Sequence, residues 1–85
     1  MDVLLIEDTT SDAVLIRAHL ERAAGKSIRV VHAWRLADGI AELEQRSFDV
    51  VLLDLGLPDS NGLDGLRLIK TVGRDVPVIV LTGDT

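Results

Sequence analysis

Asp54 is the residue of this chain whose type fits its neighbours least. It lies in FDVVLLDL, residues 48–55, the most apolar run of the sequence, and it is followed by GLPDSNG, a loop carrying Gly56, Pro58 and Gly62. A carboxylate in a segment otherwise suited to burial either caps a turn or stands where chemistry takes place. Two other apolar runs end in polar groups in the same way. Glu7 and Asp8 follow VLLI at 3–6, and Thr82 follows VPVIVL at 76–81. If those three runs are neighbours, the acids and the hydroxyl converge on one cleft. Three carboxylates so close raise one another's pKa unless a cation sits between them. A set of oxygen donors without His or Cys suits a hard ion such as Mg²⁺, which takes one or two carboxylates and keeps several waters. An aspartate clamped to such an ion beside a hydroxyl is the equipment for phosphoryl transfer onto a carboxylate. On this reading Gly56 lets the backbone pass close to the ion, and Pro58 stiffens the loop.

Each residue also has an ordinary reading. Asp54 alone could cap the loop after its strand, the Glu7–Asp8 pair could serve only a helix dipole, and a threonine at a strand end is common. The three features together favour a site. His19 and His32 read as surface or helix-flank residues away from the cleft, and Trp34 as packed beside the second helix. Asp59, Asp64 and Asp84 read as solvated or capping charges.

The elements that must position these groups alternate. Residues 3–6 form a strand, and TTSD at 9–12 opens a helix with hydroxyls for its free N–H groups. Leu15, Ile16, Leu20 and Ala23 then recur near helical spacing until Gly25 ends it. IRVVHA at 28–33 is a second strand, and Leu36, Ile40 and Leu43 mark a second helix running to about Ser47, with Gly39 as a weak point inside it. The third strand is 48–55, the third helix carries Leu63, Leu66 and Ile69 and stops near Gly73, and the fourth strand is 76–81. Strict βαβαβαβ alternation with near-continuous apolar strands calls for a doubly wound α/β fold, a parallel sheet with helices on both faces. In such sheets ligands gather beyond the carboxyl ends of the strands, where the acids lie.

Composition narrows the function classes. At 85 residues the chain is one domain near the lower limit of a self-sufficient core. Its net charge of -5 repels nucleic-acid phosphate, and a single Phe and a single Trp provide no stacking platform for bases. No apolar run approaches the roughly 20 residues of a membrane span. With no cysteine, disulfides and thiolate metal sites are excluded. The absence of a basic, then apolar, leader after Met1 gives the expectation of a cytoplasmic protein in which this domain is N-terminal.

The segments LLIED, LLDLGLPDSNGLDGL and PVIVLTGD, in that order on alternating elements, resemble the receiver domain of two-component response regulators. The resemblance spans essentially the whole chain and implies a flavodoxin-like sheet of order 2-1-3-4. It implies that Asp54 accepts a phosphoryl group from a histidine kinase or phosphotransfer protein. Asp8 would ligate Mg²⁺ directly with Glu7 assisting through water, the Gly56 carbonyl would be a further ligand, and Thr82 would bond the phosphoryl oxygen. Pro58 and Gly62 would shape the loop. Receivers continue into a fourth helix, a fifth strand ending in a lysine, and a fifth helix. Residues 1–85 therefore read as a receiver shortened by about a third, and neither Lys26 nor Lys70 is placed to replace that lysine. The shortening leaves the fourth strand as an open edge, from which a homodimer or swapped assembly is expected. A shortened dimerisation scaffold without phosphoryl chemistry is one alternative reading. An Mg²⁺-dependent aspartyl phosphohydrolase is another, although that chemistry wants an acid two residues after the nucleophile, where Gly56 stands. The expectation is a switching module, not an enzyme.

Overall fold

The computed structural model describes residues 1–59 and 63–81; Gly62, Thr82 and Asp84 lie outside the described residues. The elements are β1 (Asp2–Ile6), α1 (Thr10–Ala24), β2 (Arg29–Ala33), α2 (Leu36–Gln45), β3 (Val50–Asp54), α3 (Leu63–Val72) and β4 (Val78–Leu81), with a single 3₁₀ turn at Gly25–Ser27. All four strands are parallel, in the order β2-β1-β3-β4. This is the doubly wound arrangement that the alternation demands.

Period-two alternation divides the strand residues between two cores. Leu4, Ile6, Val51 and Leu53 point to the face covered by α2 and α3, where they pack with Leu36, Phe48, Leu57 and Ile69. Val3, Leu5 and Leu52 point to the opposite face, where Ala13, Ile16 and Leu20 of α1 cover them. β1 and β3 are central and carry the most deeply buried residues, which is why their sequences read as unbroken apolar runs.

Several boundaries and faces differ from the sequence expectation. In α1 the covering stripe is Ala13, Ile16 and Leu20, whereas Leu15 is 59% exposed and Ala23 is exposed: the helix is turned so that Ala13 lies against the sheet. The Thr9 hydroxyl does not cap α1. β3 begins at Val50; Phe48 is buried ahead of it as a plug in the α2/α3 core. β4 begins at Val78, since Pro77 has no N–H to donate, although its carbonyl accepts from the Val51 N–H at 2.9 Å.

Gly39 is no weak point. It is buried on the side of α2 that meets β1, and a Cβ there would collide with the Ile6 side chain, meeting Cδ1 and lying 2.8 Å from Cγ1. The glycine sets how closely α2 approaches the sheet.

Candidate functional site

Register brings the acids together. Ile6 pairs with Leu53 across the central strands, so the next residue of each chain segment, Glu7 and Asp54, emerges at the same carboxyl edge. Both are buried, at 6% and 7% exposure, while Asp8 is exposed. One carboxylate oxygen from each of Glu7, Asp8 and Asp54 lies within 4.8 Å of the others. The Gly56 N–H donates to Asp54 Oδ1 at 2.9 Å, and the Thr9 N–H donates to Glu7 Oε1 at 3.1 Å.

The electrostatics of the cluster are unrelieved. Burial pushes the Glu7 carboxyl up from 4.5 to about 7; the hydrogen bond from Thr9 opposes this, and the neighbouring Asp54 charge adds to it. The two ion pairs among the described residues, Arg29–Asp2 at 3.8 Å and Arg46–Glu42 at 3.3 Å, involve none of the three acids. Three hard oxygen donors within one ion's reach, one of them with its ionisation suppressed, fit a divalent cation of the Mg²⁺ type.

Of the residues singled out from sequence, the structure thus brings Glu7, Asp8, Asp54 and Gly56 to one place. Gly56 needs no special backbone: the positive φ among the described glycines belongs to Gly25, and a Cβ on Gly56 would make ordinary contact, 3.5 Å from Asp54 Oδ1. Its observed part is the N–H bond to Asp54. Leu81 pairs with Asp54, but Thr82 itself lies outside the described residues.

The expectation that both histidines lie away from the cleft fails for His19, which is exposed on a helix as expected but lines the cleft. Glu7 and Asp54 open onto a cleft of about 780 Å³ running between α1 and β4, and His19 lines it together with Asp12, Leu15 and Ile16, one stripe of α1. Their i, i+3, i+4, i+7 spacing was the available signal. His32, half-buried opposite Leu5, has Nε2 2.7 Å from the Glu7 carbonyl oxygen, so β2 braces the acidic segment. Trp34 packs by α1, not α2. Its indole N–H donates to the Thr10 hydroxyl at 3.0 Å, and its ring lies 3.8 Å from that of His32. Asp59 also has a partner that its own sequence neighbourhood does not reveal. Its two carboxylate oxygens accept from the Leu36 N–H at 2.9 Å and the Ala37 N–H at 3.1 Å, capping α2 from across the loop and drawing its own pKa below the usual value.

Known proteins are similar to this chain in sequence and in fold. The regulatory protein LuxO of Vibrio vulnificus is 42% identical over 78 residues, 92% of this chain and 17% of LuxO. The KDP operon transcriptional regulatory protein KdpE of Escherichia coli is 38% identical over 81 residues, 95% of this chain and 34% of KdpE. The chain therefore spans about a third of the length of these relatives, or less. Among solved structures, the MaeR response regulator bound to beryllium trifluoride superposes with a TM-score of 0.87 at 29% identity, over 100% of this chain and 69% of MaeR. The bacteriophytochrome response regulator AtBRR gives 0.83 at 31% identity, over 98% and 66%. The family model described as response regulator receiver domain matches residues 3–85. With its strand order, its acidic edge and this match in agreement, the chain belongs to the response regulator receiver domain family.

Proposed function

We propose that this chain is a phosphoacceptor switch in which Asp54 takes a phosphoryl group from the phosphohistidine of a histidine kinase or phosphotransfer protein, with Mg²⁺ held by Glu7, Asp8, Asp54 and the Gly56 carbonyl. The observation that carries this reading is the meeting of three carboxylates within 4.8 Å at the carboxyl edge of a parallel sheet. When bound, the cation supplies positive charge to the oxygens of the phosphoryl group in transit. The chain's own residues do the rest. The end of β3 aims the Asp54 carboxylate, and the Gly56 N–H fixes Oδ1. One Asp54 oxygen attacks phosphorus, the P–N bond to imidazole breaks, and the leaving imidazole keeps the bonding pair and takes up a proton. Thr82 is assigned the hydroxyl that bonds the transferred group. No acid stands two residues after Asp54, so rapid hydrolysis of an outside phosphoester is not part of the reading, and the module acts as a switch with no turnover of its own. It works on the cytoplasmic side, where kinase transmitter regions meet their regulators.

Incubation with Mg²⁺ and a small acyl phosphate, read by intact mass, tests this. One added phosphoryl mass is expected on the native chain and none on Asp54→Asn. Equal labelling of both, or of neither, overturns the assignment.

A second reading, of residues 1–85 taken by themselves, is self-association through β4. Ile79 is 54% exposed there, on the same sheet face as Leu52 and beside the cleft that holds the exposed Leu15. Pairing of two β4 edges would hide this apolar surface and extend the hydrogen-bonded sheet. Sedimentation of the 85-residue chain at micromolar concentration is expected to show a dimer, and Ile79→Lys a monomer. A native chain that sediments as a monomer sinks this reading and leaves the phosphoacceptor assignment untouched.

A further inference from the structure

The five residues that follow β3 are pinned at both ends. Asp54 holds the Gly56 N–H at the start, Leu57 is buried at 3% in the α2/α3 core, and the Asp59 carboxylate spans the first two N–H groups of α2 at the end. α2 has no cap of its own. Arg35 occupies the N-cap position with extended backbone and makes no side-chain capping bond. Two of the free N–H groups that a helix start leaves are therefore met by a residue 22 to 23 positions away, on the loop that leaves the acidic site. A local serine or aspartate at position 35 would satisfy α2 equally well without touching that loop. Capping from Asp59 instead ties the loop to the helix.

We propose that Asp59 is a positioning residue for the acidic site: by capping α2 from the far end of the turn at 55–59, it holds Gly56, and through it the Asp54 carboxylate, in the arrangement that receives a divalent cation. The inference rests on the Mg²⁺ reading above and adds to it a residue that touches neither the cation nor the phosphoryl group. The negative end of the tie suits its place, since a carboxylate at a helix N-terminus meets the positive end of the helix dipole. The leverage comes from the shortness of the turn. Between the Gly56 N–H and the Asp59 carboxylate lie the buried Leu57 and Pro58, whose φ is locked, so slack at one end is passed to the other.

The test separates positioning from helix stability with three variants of the whole chain: Asp59→Ala, Asp59→Asn, and Asp59→Ala combined with Arg35→Ser, which gives α2 a local cap. Mg²⁺ affinity is measured by calorimetry, the thermal midpoint without metal by circular dichroism, and exchange of the Gly56 amide hydrogen by NMR. Partners one shell removed from a metal typically change its affinity by about 10-fold or more. Asp59→Ala is expected to weaken Mg²⁺ binding about tenfold, to lower the midpoint by several degrees and to speed Gly56 exchange. Asp59→Asn loses the same charge but keeps one acceptor oxygen, and is expected to fall between Asp59→Ala and the native chain. In the double variant the midpoint returns while Mg²⁺ binding stays weak and Gly56 exchange stays fast. If the double variant regains affinity and exchange protection along with its midpoint, Asp59 is a helix cap and nothing more. Unchanged affinity in Asp59→Ala overturns the proposal as well. If the native chain binds no Mg²⁺, the metal reading fails, and Gly56 exchange alone then decides whether Asp59 holds the turn.

Discussion

Glu7→Gln is expected to unfold at a higher temperature than the native chain when both are free of divalent ions at about pH 8. Burial and the Asp54 charge raise Glu7 from 4.5 to about 7 in the folded protein. A carboxyl whose folded pKa lies above its unfolded value binds its proton more tightly in the folded state. The native chain therefore loses stability as pH rises from 4.5 towards 7, and above 7 it carries the full cost of an ionised, buried Glu7. Glutamine has no such dependence. The advantage of the variant should be absent below pH 4.5, grow across that window and level off above 7, where it is worth about 3 kcal/mol. In a domain of this size that is a midpoint shift of roughly 12–24 °C. Mg²⁺ at about a thousandfold excess over Kd should reverse the order, because a ligand that binds only the folded state then stabilises it by about 4.1 kcal/mol, and the variant has lost one of its ligands. Calorimetric scans at several pH values with and without Mg²⁺ measure both effects. A Glu7→Gln chain no more stable than the native one at about pH 8 without metal would show that the acidic cluster is not strained.

Gly39→Leu is expected to unfold the chain or to cost about 3 kcal/mol or more. A Cβ at position 39 already falls on the Ile6 side chain, which is fully buried and, being β-branched, cannot swing aside. The larger side chain has to push α2 away from β1, at the strand whose end presents Glu7. A domain of 85 residues has a net stability of only about 4–13 kcal/mol, so the loss is a large fraction of the whole. Gly39→Ala is the milder arm. It gains about 1 kcal/mol of helix propensity against an overpacking cost of about 1–3 kcal/mol, and it should come out destabilising. Ile6→Val removes the Cδ1 that the new methyl meets. The double variant should therefore be more stable than the sum of the two single changes. Urea unfolding of the four chains measures this coupling, and strictly additive effects would place the contact elsewhere.

The residues decided much about this protein by themselves. Alternation of apolar runs and helical stripes left the parallel doubly wound fold as the natural solution, and a strand of period two with a carboxylate at its end put Asp54 at the edge where ligands gather. Those are local signals, carried by composition and spacing within a few residues. The tertiary structure decided what depends on segments meeting. The pairing of Ile6 with Leu53 sets Glu7 beside Asp54, α2 lies so close to Ile6 that any side chain at position 39 costs stability, His32 reaches the Glu7 carbonyl, and Asp59 caps a helix that begins 23 residues earlier. The rotation of α1, which buries Ala13 and exposes Leu15, belongs with them. Helical spacing fixes which residues share a face, but which of two adjacent apolar stripes is buried depends on how closely the helix must approach the sheet.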